Sequence, residues 1–318
     1  MWNLKKALAT ALPPNAIAAT MGLCTLSNCY NVLGLSGVRH LCMLWGLLVW
    51  LIALLKIVTD FQQFKGEYLQ PIPGSLYAAW PMLMAILAGY FHDILPWPQV
   101  GLVIWYLAVT LHALHILYFT WRNVLKAPTL DGFTPTWFVT YVGILVPVVA
   151  GGAFGNPVIM KGLMIYGFLI TFTLVPAMIW RLWKKALPEV LRPTFTIFLA
   201  PFSLTLIAYL TMAKQPQPWL ANLLYVILLG FIIAVIVKLP SFVAGPFTIA
   251  FAALTFPLAI ATLATARLGA FLKATIVGLS SWYDQAFGLL LFLTTAVIVP
   301  IVFTFARRFI AAGKGENF

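Results

Sequence analysis

The feature that most constrains this chain is a recurring run of about 20 residues with no strongly charged residue at its centre, long enough as a helix to cross a bilayer core of about 30 Å. Such windows fall at 16–33, 40–59, 75–91, 100–121, 136–156, 160–180, 194–213, 219–237, 246–266 and 285–306. In lipid only helices and closed barrels satisfy their own backbone, and these runs are too long for barrel strands and lack their alternation. With 63% apolar and 8% charged residues, the chain has too little charge to clothe a water-facing surface. The expected fold is therefore an all-α polytopic membrane protein of ten transmembrane helices in a single domain, residues 1–318.

The formal net charge of +12 is informative only by position. With the N-terminus inside, Lys5, Lys6, Lys56, Lys65, Arg122, Lys126, Arg181, Lys184, Lys185, Arg192, Lys238, Arg307, Arg308 and Lys314 fall on the cytoplasmic side. Only Arg39, Lys161, Lys214, Arg267 and Lys273 fall outside. That bias places both termini in the cytoplasm and the protein in the cell (plasma or inner) membrane. The basic residues do not cluster on one face with aromatics between them, which excludes a nucleic-acid partner. Lys5 and Lys6 before a short apolar run resemble a signal peptide, but Pro13, Pro14 and Asn15 interrupt the run, which reads as a cytoplasmic lead. Trp97, Trp121, Trp137, Trp180, Trp183, Trp219 and Trp282 lie near span ends, as an interfacial belt requires. Cys24, Cys29 and Cys42 have neither disulfide nor zinc spacing and read as small buried hydrophobes.

With both ends inside, the chain reads as five helical hairpins, and the odd spans share a proline near their middle: Pro81, Pro147, Pro201 and Pro257, with Pro13 and Pro14 at the start of the first. Successive distances of 67, 66, 54 and 56 residues from Pro14 onward match one hairpin each, a weak internal repeat. Proline removes a donor and kinks a helix, and in lipid the freed carbonyl must face protein or water. Kinked odd spans therefore suggest an inner ring around a polar central pore. The plain alternative is that prolines are common in membrane helices, as Pro176 and Pro300 in even spans show.

All seven acids, Asp60, Glu67, Asp93, Asp131, Glu189, Asp284 and Glu316, lie in loops, tails or span ends. A path without carboxylates argues against cation conduction and, less strongly, against proton coupling. No Asp-rich or His-Glu cluster is present to support membrane-enzyme chemistry, so the chain is not expected to be an enzyme and no cofactor is implied. His112 and His115, three apart, share a helix face. They are a candidate proton relay or metal ligand pair; with no carboxylate or cysteine beside them, a hydrogen-bonded helix contact is the simpler reading, and no metal site is expected. What remains for a path is Gly, Ala, Ser, Thr and backbone exposed at kinks, which suits a partly dehydrated anion drawn by basic mouths. An inside excess of Lys and Arg is nevertheless common to inner-membrane proteins of any kind.

Three segments, in order, resemble the tellurite-resistance/dicarboxylate transporter family, which includes the bacterial tellurite-resistance protein, fungal malate permease, sulfite exporters and the slow-type anion channel of plant guard cells. They are Pro14-Asn15-Ala16 through Met21-Gly22-Leu23 to Leu26-Ser27, then Leu191-Arg192-Pro193-Thr194 with Leu199-Ala200-Pro201-Phe202 and Ala208-Tyr209-Leu210, then Ala250-Phe251 with Leu254-Thr255-Phe256-Pro257-Leu258. The resemblance implies five hairpins around a central pore lined by the odd helices, and a homotrimer of such protomers. It implies that Phe256 is the pore gate and that Gly22 lets the first helix approach the pore closely; with the proline pattern, the pore-lining residues are Gly22, Pro81, Pro147, Pro201, Thr255 and Pro257. Ala16 and Thr20 depart from the family's glycine and proline, which implies a straighter first helix. The plant channels' long regulatory tails have no counterpart, so control by phosphorylation of the termini is not expected.

The function implied is an anion channel passing small monovalent anions such as chloride or nitrate. A carrier or exporter of malate, sulfite or tellurite-type oxyanions, with or without protons, is the alternative. Its partners are these inorganic or organic anions and the lipid bilayer.

Overall fold

The computed structural model describes residues 12–152, 154–275 and 280–315. Lys5, Lys6 and Glu316, which the charge map used, lie outside the described residues. Every element in the described residues is helical. In chain order they are α1 (Pro14–Val32), α2 (Ser36–Thr59), α3 (Phe61–Tyr68), α4 (Pro71–Leu76), α5 (Ala79–Asp93) and α6 (Pro98–Thr120), the last extended by a π turn over Trp121–Lys126. There follow α7 (Trp137–Tyr141), a 3-10 turn (Gly143–Leu145), α8 (Val146–Gly151) and α9 (Pro157–Lys184). A 3-10 stretch (Glu189–Phe198) leads into α10 (Leu199–Met212), then α11 (Pro218–Val243), a 3-10 stretch (Ile249–Leu254) leading into α12 (Thr255–Thr275), and α13 (Ser280–Lys314).

Among the described residues eight helical segments are long and apolar enough to cross a membrane, which makes this a multi-pass membrane protein. Helix α1 is not one of the eight, because Asn15, Asn28 and Asn31 dilute its hydropathy, and the apolar stretch Trp137–Gly151 is too short. Both are nevertheless deeply packed: Ile17, Ala19 and Met21 of the first, and Phe138, Leu145 and Val148 of the second, have almost no exposed surface.

The packing divides these elements into two layers. Helix α1 packs on α5, α5 on α8, α8 on α10, α10 on α12, and α12 back on α1, closing a ring. Around it α2, α6, α9, α11 and α13 each pack on the inner element before them in the chain and on the next one round the ring. The inner spans beginning at Pro71, Glu189 and Ile249 are 72–83% buried, against 22–39% for the five outer helices. Outer residues such as Leu41, Leu169, Val237, Leu289 and Phe292 are bare on the outside, the surface a bilayer would cover. Trp97, Trp121, Trp180, Trp183, Trp219 and Trp282 are exposed there too.

The inner prolines correct the expectation of mid-helix kinks. Pro81, Pro201 and Pro257 are each the third residue of an α-helix, Pro147 is the second and Pro14 the first. A proline in the first turn loses no intrahelical bond, because the N–H it lacks would have had no partner there. The four inner spans after α1 are thus two-part. A 3-10 or short α segment ends, and a new α-helix begins at the proline, whereas Pro176, Pro240 and Pro300 of the outer layer sit inside unbroken helices. Hydroxyls bond back to carbonyls at or ahead of the breaks: Thr255 Oγ1 donates to Ala252 O at 2.7 Å across one break, and Thr194 Oγ1 to Leu191 O at 2.6 Å and Ser75 Oγ to Ile72 O at 2.8 Å within the leading segments.

One buried ion pair fixes the N-terminal side of the ring. Lys56, 2% exposed, donates to Leu12 O at 2.9 Å and to both Glu67 oxygens at 2.8 and 2.9 Å, while Tyr77 OH and Gln63 Nε2 also donate to Glu67. Removing one member leaves a buried charge unpaired, at a cost of about 3 kcal/mol. Glu67→Ala is therefore expected to lower the melting midpoint of the detergent-solubilised protein markedly. The double variant Lys56→Met/Glu67→Leu should recover most of that loss, and equal melting of the single variant and wild type would contradict the assignment.

Candidate functional site: a path through the ring

Two cavities of about 140 Å³ each lie end to end inside the ring; α1, α5, α10 and α12 line both, while α7 and the 3-10 turn after it line the first and α8 the second. Each is roomy enough for a small anion with part of its hydration shell. The first sits among the N-terminal parts of the inner elements, with Asn15, Thr136, Thr194, Ile197 and Ala252 in its wall, and is otherwise apolar. The second sits among their C-terminal parts and is polar, with Thr25, Asn28, Asn31, Arg39, Asp93 and Arg267 in its wall.

Two residues belong to both walls, Phe256 and Leu204. They are 5% and 1% exposed and come from α12 and α10, so one ring and one isobutyl group stand where the two cavities meet. The Phe256 backbone is held from behind. A Cβ built on Gly22 would stand 2.6 Å from Phe256 N and from Thr255 Cβ, and 2.7 Å from Thr255 Oγ1, so only glycine lets α1 lie against α12 here. Thr255 Oγ1 ties the two further by reaching Ala18 O at 3.3 Å.

The other residues singled out from the sequence lie elsewhere. Pro257 lines the first cavity. Gly22, Thr255, Pro81, Pro147 and Pro201 are buried between helices and touch neither cavity. A first-turn proline positions the helix start rather than presenting an unpaired carbonyl to the lumen. Pro147 O, for one, accepts from Trp105 Nε1 at 2.8 Å.

His112 and His115 do share a face, and it points at Thr140 of α7. His112 Nε2 donates to Thr140 O at 2.8 Å. The Thr140 hydroxyl donates to Ser75 O at 3.1 Å, so it accepts from His115 Nε2 at 3.1 Å, leaving His115 Nδ1 to accept from Tyr68 OH at 2.7 Å. Neither histidine lines either of the two cavities in the ring. Among the described residues no three of His, Cys, Asp and Glu come together as a metal site.

The lining residues that sequence reasoning missed are Leu204, Asn28 and the two arginines of the second cavity. Leu204 follows Pro201 by three residues, just as Phe256 precedes Pro257, but nothing in the composition of α10 sets it apart from its neighbouring leucines. Arg39 and Arg267 lie 228 residues apart, each just beside an apolar window, and only closure of the ring brings α12 against α1 and α2's start into one wall.

Compared with known families, residues 11–305 match the model of SLAC1, the voltage-dependent anion channels. No curated protein matches the chain.

Proposed function

Because the chain belongs to the SLAC1 voltage-dependent anion channel family, whose activity is anion transport across membranes, we propose that it passes small monovalent anions such as chloride and nitrate through the middle of the ring, with Phe256 as the gate. The observation that carries this reading is the pair of end-to-end cavities separated by Phe256 and Leu204. An apolar constriction of this width stays dry and blocks ions until the ring changes rotamer, and the route on either side carries no acid except Asp93 at its outer edge.

In this reading α1 and Trp137–Gly151 are the first and fifth spans, completing ten spans in five hairpins. Their low hydropathy and short length are tolerated because the outer helices shield them from lipid. The charge bias supports cytoplasmic termini, placing the apolar cavity inside and the polar one outside, in the cell membrane. The family resemblance supports three protomers, each with its own path.

Purified protein in liposomes loaded with a chloride-sensitive dye tests the reading. An inward chloride gradient with a potassium shunt should quench the dye faster in Phe256→Ala than in wild type, and neither should pass sodium. Accumulation of malate, sulfite or tellurite driven by a proton gradient would instead mark a carrier, and no anion flux in either protein would defeat the proposal.

A further inference from the structure

The polar cavity has a composition that passive conduction does not require. Arg39, from the start of α2, and Arg267, from α12, stand in one wall with Asn28 and Asn31 of α1. Among its charged neighbours Arg39 feels the Asp93 carboxylate more strongly than Arg267, and Arg267 is exposed where Arg39 is half-buried. Among the described residues neither arginine has a carboxylate within ion-pair distance. Asp93, the one acid in the wall, pairs with His92 at 2.8 Å. Arg39 Nε is buried and has no hydrogen-bond partner, and the same holds for Asn28 Oδ1. A buried donor without a partner is destabilising, and a second cation lining the same space adds a repulsion that Asp93 and the exposure of Arg267 reduce. Both penalties disappear if an anion sits between them.

Resting on the channel reading, we infer that Arg39 and Arg267 form an anion-coordinating site in the outer cavity, one step from Phe256, and that it favours planar oxyanions such as nitrate or a small carboxylate over halides. The guanidinium group is a flat fork of N–H donors that matches two oxygens of a planar anion at once, whereas a spherical halide engages the fork through a single point. Asn28 supplies an adjustable amide whose NH2 and carbonyl can exchange places, so its orphaned end can become a donor to the bound ion. The site therefore concentrates oxyanions at the gate's outer face, while the apolar inner cavity, which has no charged side chain in its wall, lets them leave.

Lysine substitutions isolate this claim, because lysine keeps the charge and loses the fork. In planar bilayers holding Phe256→Ala protein, the permeability of nitrate and of formate relative to chloride is read from reversal potentials, then repeated in the added backgrounds Arg39→Lys, Arg267→Lys and Arg39→Gln/Arg267→Gln. Each lysine variant should lower both ratios about threefold, and the double glutamine variant should also cut anion conductance at low salt, with that loss shrinking as salt screens the site. A fall for nitrate alone would mark a nitrate site, and a fall for formate alone a carboxylate site. Unchanged ratios in all three backgrounds, with anion current intact, would overturn the inference and leave the channel reading standing.

Were no anion current present at all, the channel reading would fail by itself, and the site would be judged by melting of the detergent-solubilised protein. At equal ionic strength nitrate should raise the midpoint of wild type above its value in chloride and leave Arg39→Gln/Arg267→Gln unmoved. Equal shifts in both proteins would overturn it.

Discussion

Phe256→Ala is expected to raise the anion conductance of the reconstituted protein by roughly tenfold or more, because truncating the ring joins two anion-sized cavities into one passage and removes a dry barrier worth at least about 1.4 kcal/mol. Leu204 is the other residue that lines both cavities, so Leu204→Ala should open the path as well, by a smaller factor, since the wider side chain remains. Phe256→Leu keeps an apolar plug and should stay nearly closed. Truncation of a buried Phe costs about 3–5 kcal/mol in a sealed core. Here the ring already borders cavities on both sides, and the melting midpoint should fall by less than that range implies. Equal macroscopic currents from wild type and Phe256→Ala, at matched protein incorporation, would remove Phe256 from the gate.

The second large effect is expected at Gly22. A methyl group there meets the backbone nitrogen of Phe256 and the Cβ of Thr255 at 2.6 Å, atoms that have no rotamer by which to retreat. Gly22→Ala must push α1 away from the start of α12 at a cost of about 1–3 kcal/mol, and Gly22→Val more. Because the displaced atoms carry the Phe256 ring, protein that still folds should show both a lower melting midpoint and a leak of anions with the ring itself intact. Gly230 in α11 is the control: a Cβ there has nothing within 4 Å, so Gly230→Ala should leave flux unaltered and add helix stability of about 0.5–1 kcal/mol. If Gly22→Ala behaves like Gly230→Ala in both measurements, the close approach of α1 and α12 is wrong.

How far the sequence revealed this arrangement varies by residue. The long outer helices were plain in it, since a window such as 40–59 or 160–180 is apolar on every face and unbroken by local turn chemistry, and the helices Ser36–Thr59 and Pro157–Lys184 follow it closely. The inner prolines marked the right elements for a partly wrong reason. Their spacing repeats because each inner α-helix starts at one, and a first-turn proline and a mid-helix kink look alike in a bare sequence. Glu189–Phe198 and Ile249–Leu254 take 3-10 form ahead of Pro201 and Pro257, a tightening that apolar composition does not encode. The spacing of His112 and His115 puts them on one face, but the neighbour that face meets depends on Thr140, 28 residues on from His112, and on α7 packing beside α6. Phe256 stood out only through family resemblance. Its chemistry is that of any buried phenylalanine, and its meaning comes from lying where two cavities meet.

Conduction of anions along the axis of the ring is tested most directly by the reversal potential of Phe256→Ala protein in a bilayer with a tenfold potassium chloride gradient. The current should reverse close to the equilibrium potential of chloride, and replacing chloride on one side with a large impermeant anion should abolish the current carried from that side. Reversal near the equilibrium potential of potassium, or a current indifferent to which anion is present, would contradict it.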